Sequence, residues 1–289
     1  MSKYLHKVQG DILHVPDKYL GHTQNSNASL LITREKSSEN IFTNNRGWRV
    51  IDEKKNVSGK RKYLLFGCSW PMGLDIDYKH TYCFDLEKKL KAEIANLGVS
   101  SYSILQSIRR LELEIKFIKP KVVILNYGFW LANRLFKNNQ LEGFFQRPIF
   151  KYDKQNKNIV LIEPKTIPLF LLRLVTKISR KKNAGRVNLF NKTIYCLLKI
   201  ISFFFLNFST KKILSSEKFS YITSENSFNY SNCRIKALEY SFQKLSKIVD
   251  KNNCKILVSH IYPFFFNNEE KKISRNDEII IKKILKNCK

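Results

Sequence analysis

A chain of 289 residues, 43% hydrophobic and 13% aromatic, can bury one large α/β core or two small ones, which excludes wholesale disorder. Its 52 basic against 24 acidic residues give a net charge of +28, which would suit an anionic membrane surface or nucleic acid. The excess is mostly Lys spread along the whole chain beside abundant Asn and Ile, so A/T-rich codons account for much of it, and no zinc-finger or RNP sequence points to nucleic acid as the partner.

Six cysteines (Cys68, Cys83, Cys196, Cys233, Cys254, Cys288) show no CxxC and no paired spacing, as reduced thiols in the cytoplasm would. The first twenty residues, MSKYLHKVQGDILHVPDKYL, contain no continuous apolar run of the signal-peptide kind. The longest greasy segment, 193–208, carries Lys199 and falls short of the ~20 apolar residues of a spanning helix. It is expected to pack on protein or to lie at an interface, which leaves contact with the inner face of a membrane open.

Residues 1–61 read as a polar N-terminal extension, with loop signals at GHTQNSNAS and TNNRGWR. From 62 onward the pattern is that of an α/β domain. KYLLFG is a short buried strand, and Tyr82, Leu86 and Leu90 mark a helix face. EIANLG (93–98) is a second strand. Ile104, Leu105, Ile108, Leu111, Ile115 and Ile118 recur at the spacing of an amphipathic helix that Pro120 closes. KVVILNYG (121–128) is apolar on both faces, as a central parallel strand is. A hairpin over 149–164 opens an insert that reaches about 214 and holds two apolar helix candidates. A helix marked by Ile235, Leu238, Phe242 and Leu245, a fourth strand over 255–263 and a last helix over 273–287 complete the chain.

Strand and helix alternate at the spacing of a parallel sheet with right-handed crossovers. Ligands bind such sheets at the carboxyl ends of the strands. Gly67-Cys68-Ser69, Asn96-Leu97-Gly98 and Asn126-Tyr127-Gly128 all fall there.

This arrangement resembles the SGNH, or GDSL, hydrolases, three-layer flavodoxin-like α/β esterases and deacetylases. Their GDSxTxG block is matched by Gly67-Cys68-Ser69-Trp70-Pro71-Met72-Gly73, with Cys in place of Asp and Pro in place of Thr. Their N-x-G-x-x-G block is matched by Asn96 to Ser101, with Ser101 at the last Gly, and their G-x-N-D block by Gly128 to Leu131, with Trp130 at the Asn. The leader motifs and the hairpin extend the likeness over most of 17–285. The Asp-x-x-His that completes the family's triad has no counterpart, and the resemblance places it one strand and one loop beyond Lys289.

What the resemblance implies is an esterase, lipase or deacetylase acting on a small-molecule, glycan or lipid-like ester, without metal or organic cofactor. Ser69 is then the nucleophile, and Gly98, Ser101 and Trp130 line the oxyanion site. Serine needs a base. His6, His14 and His22 lie in the polar leader and His80 in a loop, so His260, at the end of the fourth strand, is the candidate, with Asp250 available to orient it. Asp75 and Asp77 read as solvated loop residues and Cys68 as a packed thiol. Two alternatives stand beside the enzyme: a non-catalytic binding module of the same fold, and a basic membrane-surface protein.

Overall fold

The structure is a computed structural model. It describes residues 7–33, 38–52, 61–137, 139–140, 145–183, 219–220, 230–262 and 267–286. The chain opens with β1 (Lys7–Gly10), β2 (His14–Asp17), β3 (Gly21–Gln24), β4 (Ser29–Thr33), β5 (Ser38–Thr43) and β6 (Arg49–Val50). There follow β7 (Tyr63–Phe66), α1 (Ser69–Met72), α2 (Tyr82–Leu90), β8 (Ile94–Asn96), α3 (Ile104–Ile118), β9 (Val122–Tyr127) and α4 (Phe129–Asn133). Next are β10 (Asn139–Gln140), β11 (Phe145–Gln146), β12 (Ile149–Asp153), β13 (Asn158–Ile162), α5 (Leu169–Asn183) and β14 (Phe219–Ser220). The last described elements are α6 (Tyr230–Lys251), β15 (Lys255–His260) and α7 (Asn268–Leu285).

The central sheet has the order β8-β7-β9-β15, and every pair in it is parallel. The four expected parallel strands are therefore present. The chain starts in the middle, steps out to β8, and returns across β7 to β9 and β15. Alternation along each strand gives the sheet two faces. Leu64, Phe66, Val123, Leu125 and Tyr127 join the large core with Ile108 and Leu111 of α3 and Leu238 and Phe242 of α6. Leu65, Ile94 and Ile124 pack instead with Tyr78 and Cys83 and with the α2 residues Phe84 and Leu86. Helices thus cover both faces. Over β15 no helix among the described residues covers the second face, and Leu257 is 54% exposed.

The N-terminal residues depart from the expectation of a polar extension. β1, β4, β5 and β6 form an antiparallel sheet and β2–β3 a hairpin, and Leu20 and Trp48 enter the same core as Phe66 and Ile108. The segment is stitched to α3 through polar groups. Tyr102 Oη donates to the His22 carbonyl (2.7 Å), Gln106 Nε2 to that of Leu20 (2.6 Å), Arg109 Nη1 to that of Tyr19 (2.7 Å) and Arg110 Nη2 to that of Arg46 (2.6 Å). Gln106, Arg109 and Arg110 form what periodicity marks as the polar face of α3, yet all three are buried, and Tyr102 lies in the turn just before the helix. A reciprocal capping box between Ser103 and Gln106 starts the helix, and Lys119, with φ 50°, ends it.

The hairpin expected over 149–164 is formed by β12 and β13, and α5 is the first helix of the insert. The second apolar segment (193–208), with Cys196, and also Cys288, lie outside the described residues. Among the described residues, no helix is long and apolar enough to cross a membrane.

Candidate functional site

The three turns singled out in the sequence interlock at the carboxyl ends of β8, β7 and β9. After β7 the chain turns through Gly67, where φ is 148°, and a Cβ there would lie 2.8 Å from the Asn126 carbonyl oxygen and 2.9 Å from Pro71 Cγ. Only glycine fits that gap. Cys68 is fully buried, and Ser69, half-exposed, begins α1. The one polar contact of the Ser69 hydroxyl among the described residues is a long 4.0 Å approach to Cys68 Sγ. α1 ends after one turn at Gly73, left-handed at φ 73°.

Arg49, 1% exposed, holds the chain beyond Ser69 by donating to the carbonyls of Met72 (2.9 Å), Gly73 and Ile76 (2.6 Å). Met72 packs with Leu13, Leu30 and Ile41 of the N-terminal strands. The serine turn is therefore braced from a part of the chain that sequence reading treats as an appendage.

The second turn is locked to the first. Buried Asn96 donates from Nδ2 to the Pro71 carbonyl (2.7 Å) and accepts at Oδ1 from the Gly98 N–H (3.0 Å). A Cβ on Gly98 would stand 2.3 Å from the Met72 nitrogen. Gly98 thus serves close approach, with its N–H already committed. Ser101 sits at φ 65°, in the left-handed region that a glycine adopts without strain. Its N–H has no partner among the described residues. Ser101→Gly is expected to raise stability by about 1 kcal/mol in chemical denaturation, by relieving this conformation. A loss would show that the hydroxyl, and not the turn, is what the position requires.

The third turn closes over Cys68. Trp130 Nε1 donates to Cys68 Sγ (3.5 Å), and the Trp130 ring lies 6.3 Å from that of Trp70, which is 48% exposed. Trp130 thus walls the rim while its N–H is turned to sulfur. Asn126, also buried, keeps an Oδ1 without a partner among the described residues, on the face of the sheet it shares with Asn96.

His260 is where the sequence puts it, at the end of β15, but it is not brought to Ser69. It pairs with Tyr127 in register, and β9 lies between its strand and β7, about 9.5 Å across the sheet at 4.7–4.9 Å per strand. Its ring packs edge-on to Tyr127 (5.3 Å) and stacks on Tyr262 (6.2 Å), on the opposite face from Asn126. Burial pushes its pKa down, and Glu278 and Asp277 of α7 oppose that. Asp250 bonds Ser246 within α6. His80 is exposed, and Asp77 accepts from the Asn40 N–H (2.7 Å). Cys68, Cys83, Cys233 and Cys254 form no disulfide among the described residues. Among the described residues, no group of three His, Cys, Asp or Glu gathers as a metal site.

Sequence reading passes over His22. It is fully buried, its Nε2 donates to the Ser100 carbonyl (3.1 Å), and its ring contacts His14, Tyr102 and Phe145. Burial first, and the neighbouring His14 next, push its pKa well below the usual value, so it remains neutral. It supports the turn that holds Ser101. The only signal in the sequence is Gly21, left-handed at φ 85°, just before it.

Fold and site together define an α/β protein with three braced turns at one edge of a parallel sheet. No protein-family model matches the chain, and no curated protein matches it.

Proposed function

We propose that the protein is a serine ester hydrolase of the SGNH type, an esterase, lipase or deacetylase, with Ser69 as nucleophile. The observation that carries this reading is the interlock of the turns 67–73, 96–101 and 126–130 around a half-exposed Ser69, between β7 and β9. Strand order 2-1-3-4 makes that gap the topological switch point, where doubly wound sheets bind ligands. Ser69 Oγ attacks the acyl carbon and displaces the alcohol, which departs with the hydroxyl proton, water then releases the acid from the acyl-serine, and the N–H groups of Ser69 and Ser101 stabilise the developing oxyanion. The left-handed backbone at Ser101, where the family has Gly, supports that role. Trp70 and Trp130 offer ring faces to a glycan or to an acyl chain. The hydroxyl proton needs a base, and His260 is held over Tyr127 a strand away. The assignment therefore rests on nucleophile and oxyanion donors, without a preformed Ser–His pair.

A fluorophosphonate probe tests it. Wild-type protein is expected to label covalently, and Ser69→Ala to lose the label entirely while keeping its melting temperature. Absence of labelling in the wild type favours the second reading, a binding module that keeps the fold without the chemistry. The separation of His260 from Ser69 is the observation on its side.

A further inference from the structure

Five arginines are buried among the described residues: Arg49, Arg109, Arg110, Arg147 and Arg234. Four have visible partners. Arg49 is surrounded by carbonyls, Arg109 pairs with Glu163 (2.6 Å), Arg110 lies 3.6 Å from Glu114, and Arg234 pairs with Asp277. Arg147, just after β11, is 5% exposed, and among the described residues no carboxylate pairs with it and nothing takes up its Nε, an orphan it shares with Arg49, Arg109 and Arg110.

Its neighbours make this worse. Arg134 stands near enough to repel it, and His22 feels the Arg147 charge. Asp17, the carboxylate of the adjoining hairpin, accepts from the Tyr19 and Leu20 N–H groups instead (2.8 and 2.7 Å). Burial, with Arg134 second, pushes the Arg147 pKa down to about 9. A buried cation beside a like charge is costly unless an anion completes the site. Arg134 and His22 flank the Ser101 turn, and the backbone of Arg147 lies against Gly21, next to His22. Arg134 Nη1 donates to the Tyr102 carbonyl (2.9 Å), and His22 beside Arg147 donates to that of Ser100.

We propose that Arg134 and Arg147 form a binding subsite for an oxyanion, a carboxylate or a phosphate, beside the Ser101 turn. The planar fork of arginine matches both groups bidentately. The subsite stands whether or not Ser69 is a nucleophile. That the anion belongs to the substrate, making it an acidic ester, rests on the hydrolase reading above.

The test is thermal and calorimetric titration of the full chain with inorganic phosphate and, separately, with acetate, against sodium chloride at equal ionic strength. At least one of the two anions raises the melting temperature of the wild type beyond the chloride control. Arg147→Met weakens that anion's affinity by roughly 10-fold to 100-fold, the loss of a charge-assisted contact, and melts higher than the wild type in anion-free buffer. Arg134→Gln weakens the affinity as well, which keeps the test open if Arg147→Met misfolds. Ser69→Ala retains the full anion response, so failure of the nucleophile assignment leaves this result untouched. No response to either anion in the wild type, or an undiminished response in both arginine variants, overturns the subsite.

Discussion

Acidification from pH 6.5 toward 4 will destabilise the protein in a window where its carboxylates are still ionised. Burial pushes His14 down to about 4 and His22 further, and each is thereby kept neutral in the fold. The unfolded chain takes up protons at the ordinary histidine value near 6.5, so it binds more protons than the native state below that pH. Stability is thus fully present above about 6.5 and falls as the pH drops, levelling only below each folded value. At about 1.4 kcal/mol per unit, the shift at His14 alone corresponds to about 3 kcal/mol. His22 and His260 act with the same sign.

Carboxylates enter later. Glu112, which burial pushes up but Lys244 and Tyr19 hold below its usual range, and Glu278, held at about 2 by Lys282 and Tyr262, lose their contribution only below about 4.5. Urea midpoints taken from pH 7 to 4.5, below the buried Lys151 whose pKa burial pushes down to about 8, therefore isolate the histidines. The decline should be shallower in His14→Gln. A flat profile would mean that the two rings are solvated and not buried.

The second large effect is expected at Asp277. It is fully buried, accepts from both terminal nitrogens of Arg234 and from Tyr127 Oη (2.6 Å), and so ties α7 to α6 and to the end of β9. Arg234 also donates to the Asn133 side chain (3.0 Å) and to the Phe129 carbonyl (3.4 Å), the chain that follows the third turn of the site. Removing one partner of a buried ion pair strands the other charge. Asp277→Ala should cost about 3–5 kcal/mol in urea denaturation. The double variant Asp277→Leu with Arg234→Met should recover most of that loss, because the isolated charge is gone. A cost below about 1 kcal/mol for the single change would show that water reaches Arg234.

The parallel sheet is legible in the sequence because strands buried on both faces have no choice but to be apolar along most of their length, as Val122 to Leu125 are. α3 announces itself by its apolar face and by Pro120 just beyond its end. What escapes notice is burial of polar side chains by partners far along the chain. Glu39, Arg49 and Gln24 read as surface residues, and so do Gln106, Arg109 and Arg110, until the N-terminal strands supply carbonyls for the last three to hold. At the site, strand ends mark Ser69 and Gly98, whereas Ser101 is reached only through the family resemblance. His22, Arg134 and Arg147 carry no spacing signal. His260 was legible in position but not in direction. It shares a side of β15 with Ile256 and Val258, which pack into the core, and strand alternation turns its ring the same way.

The stitching of the N-terminal segment to α3 also sets an order of events during synthesis. The carbonyls of Tyr19, Leu20 and His22 find their donors 80 to 90 positions later in the chain. At about 5–20 residues per second, they wait roughly 4 to 18 seconds after leaving the ribosome before those donors exist. Through that interval Leu20 and Trp48 have no core to enter, and the nascent segment depends on its own charge and on chaperones to stay unaggregated.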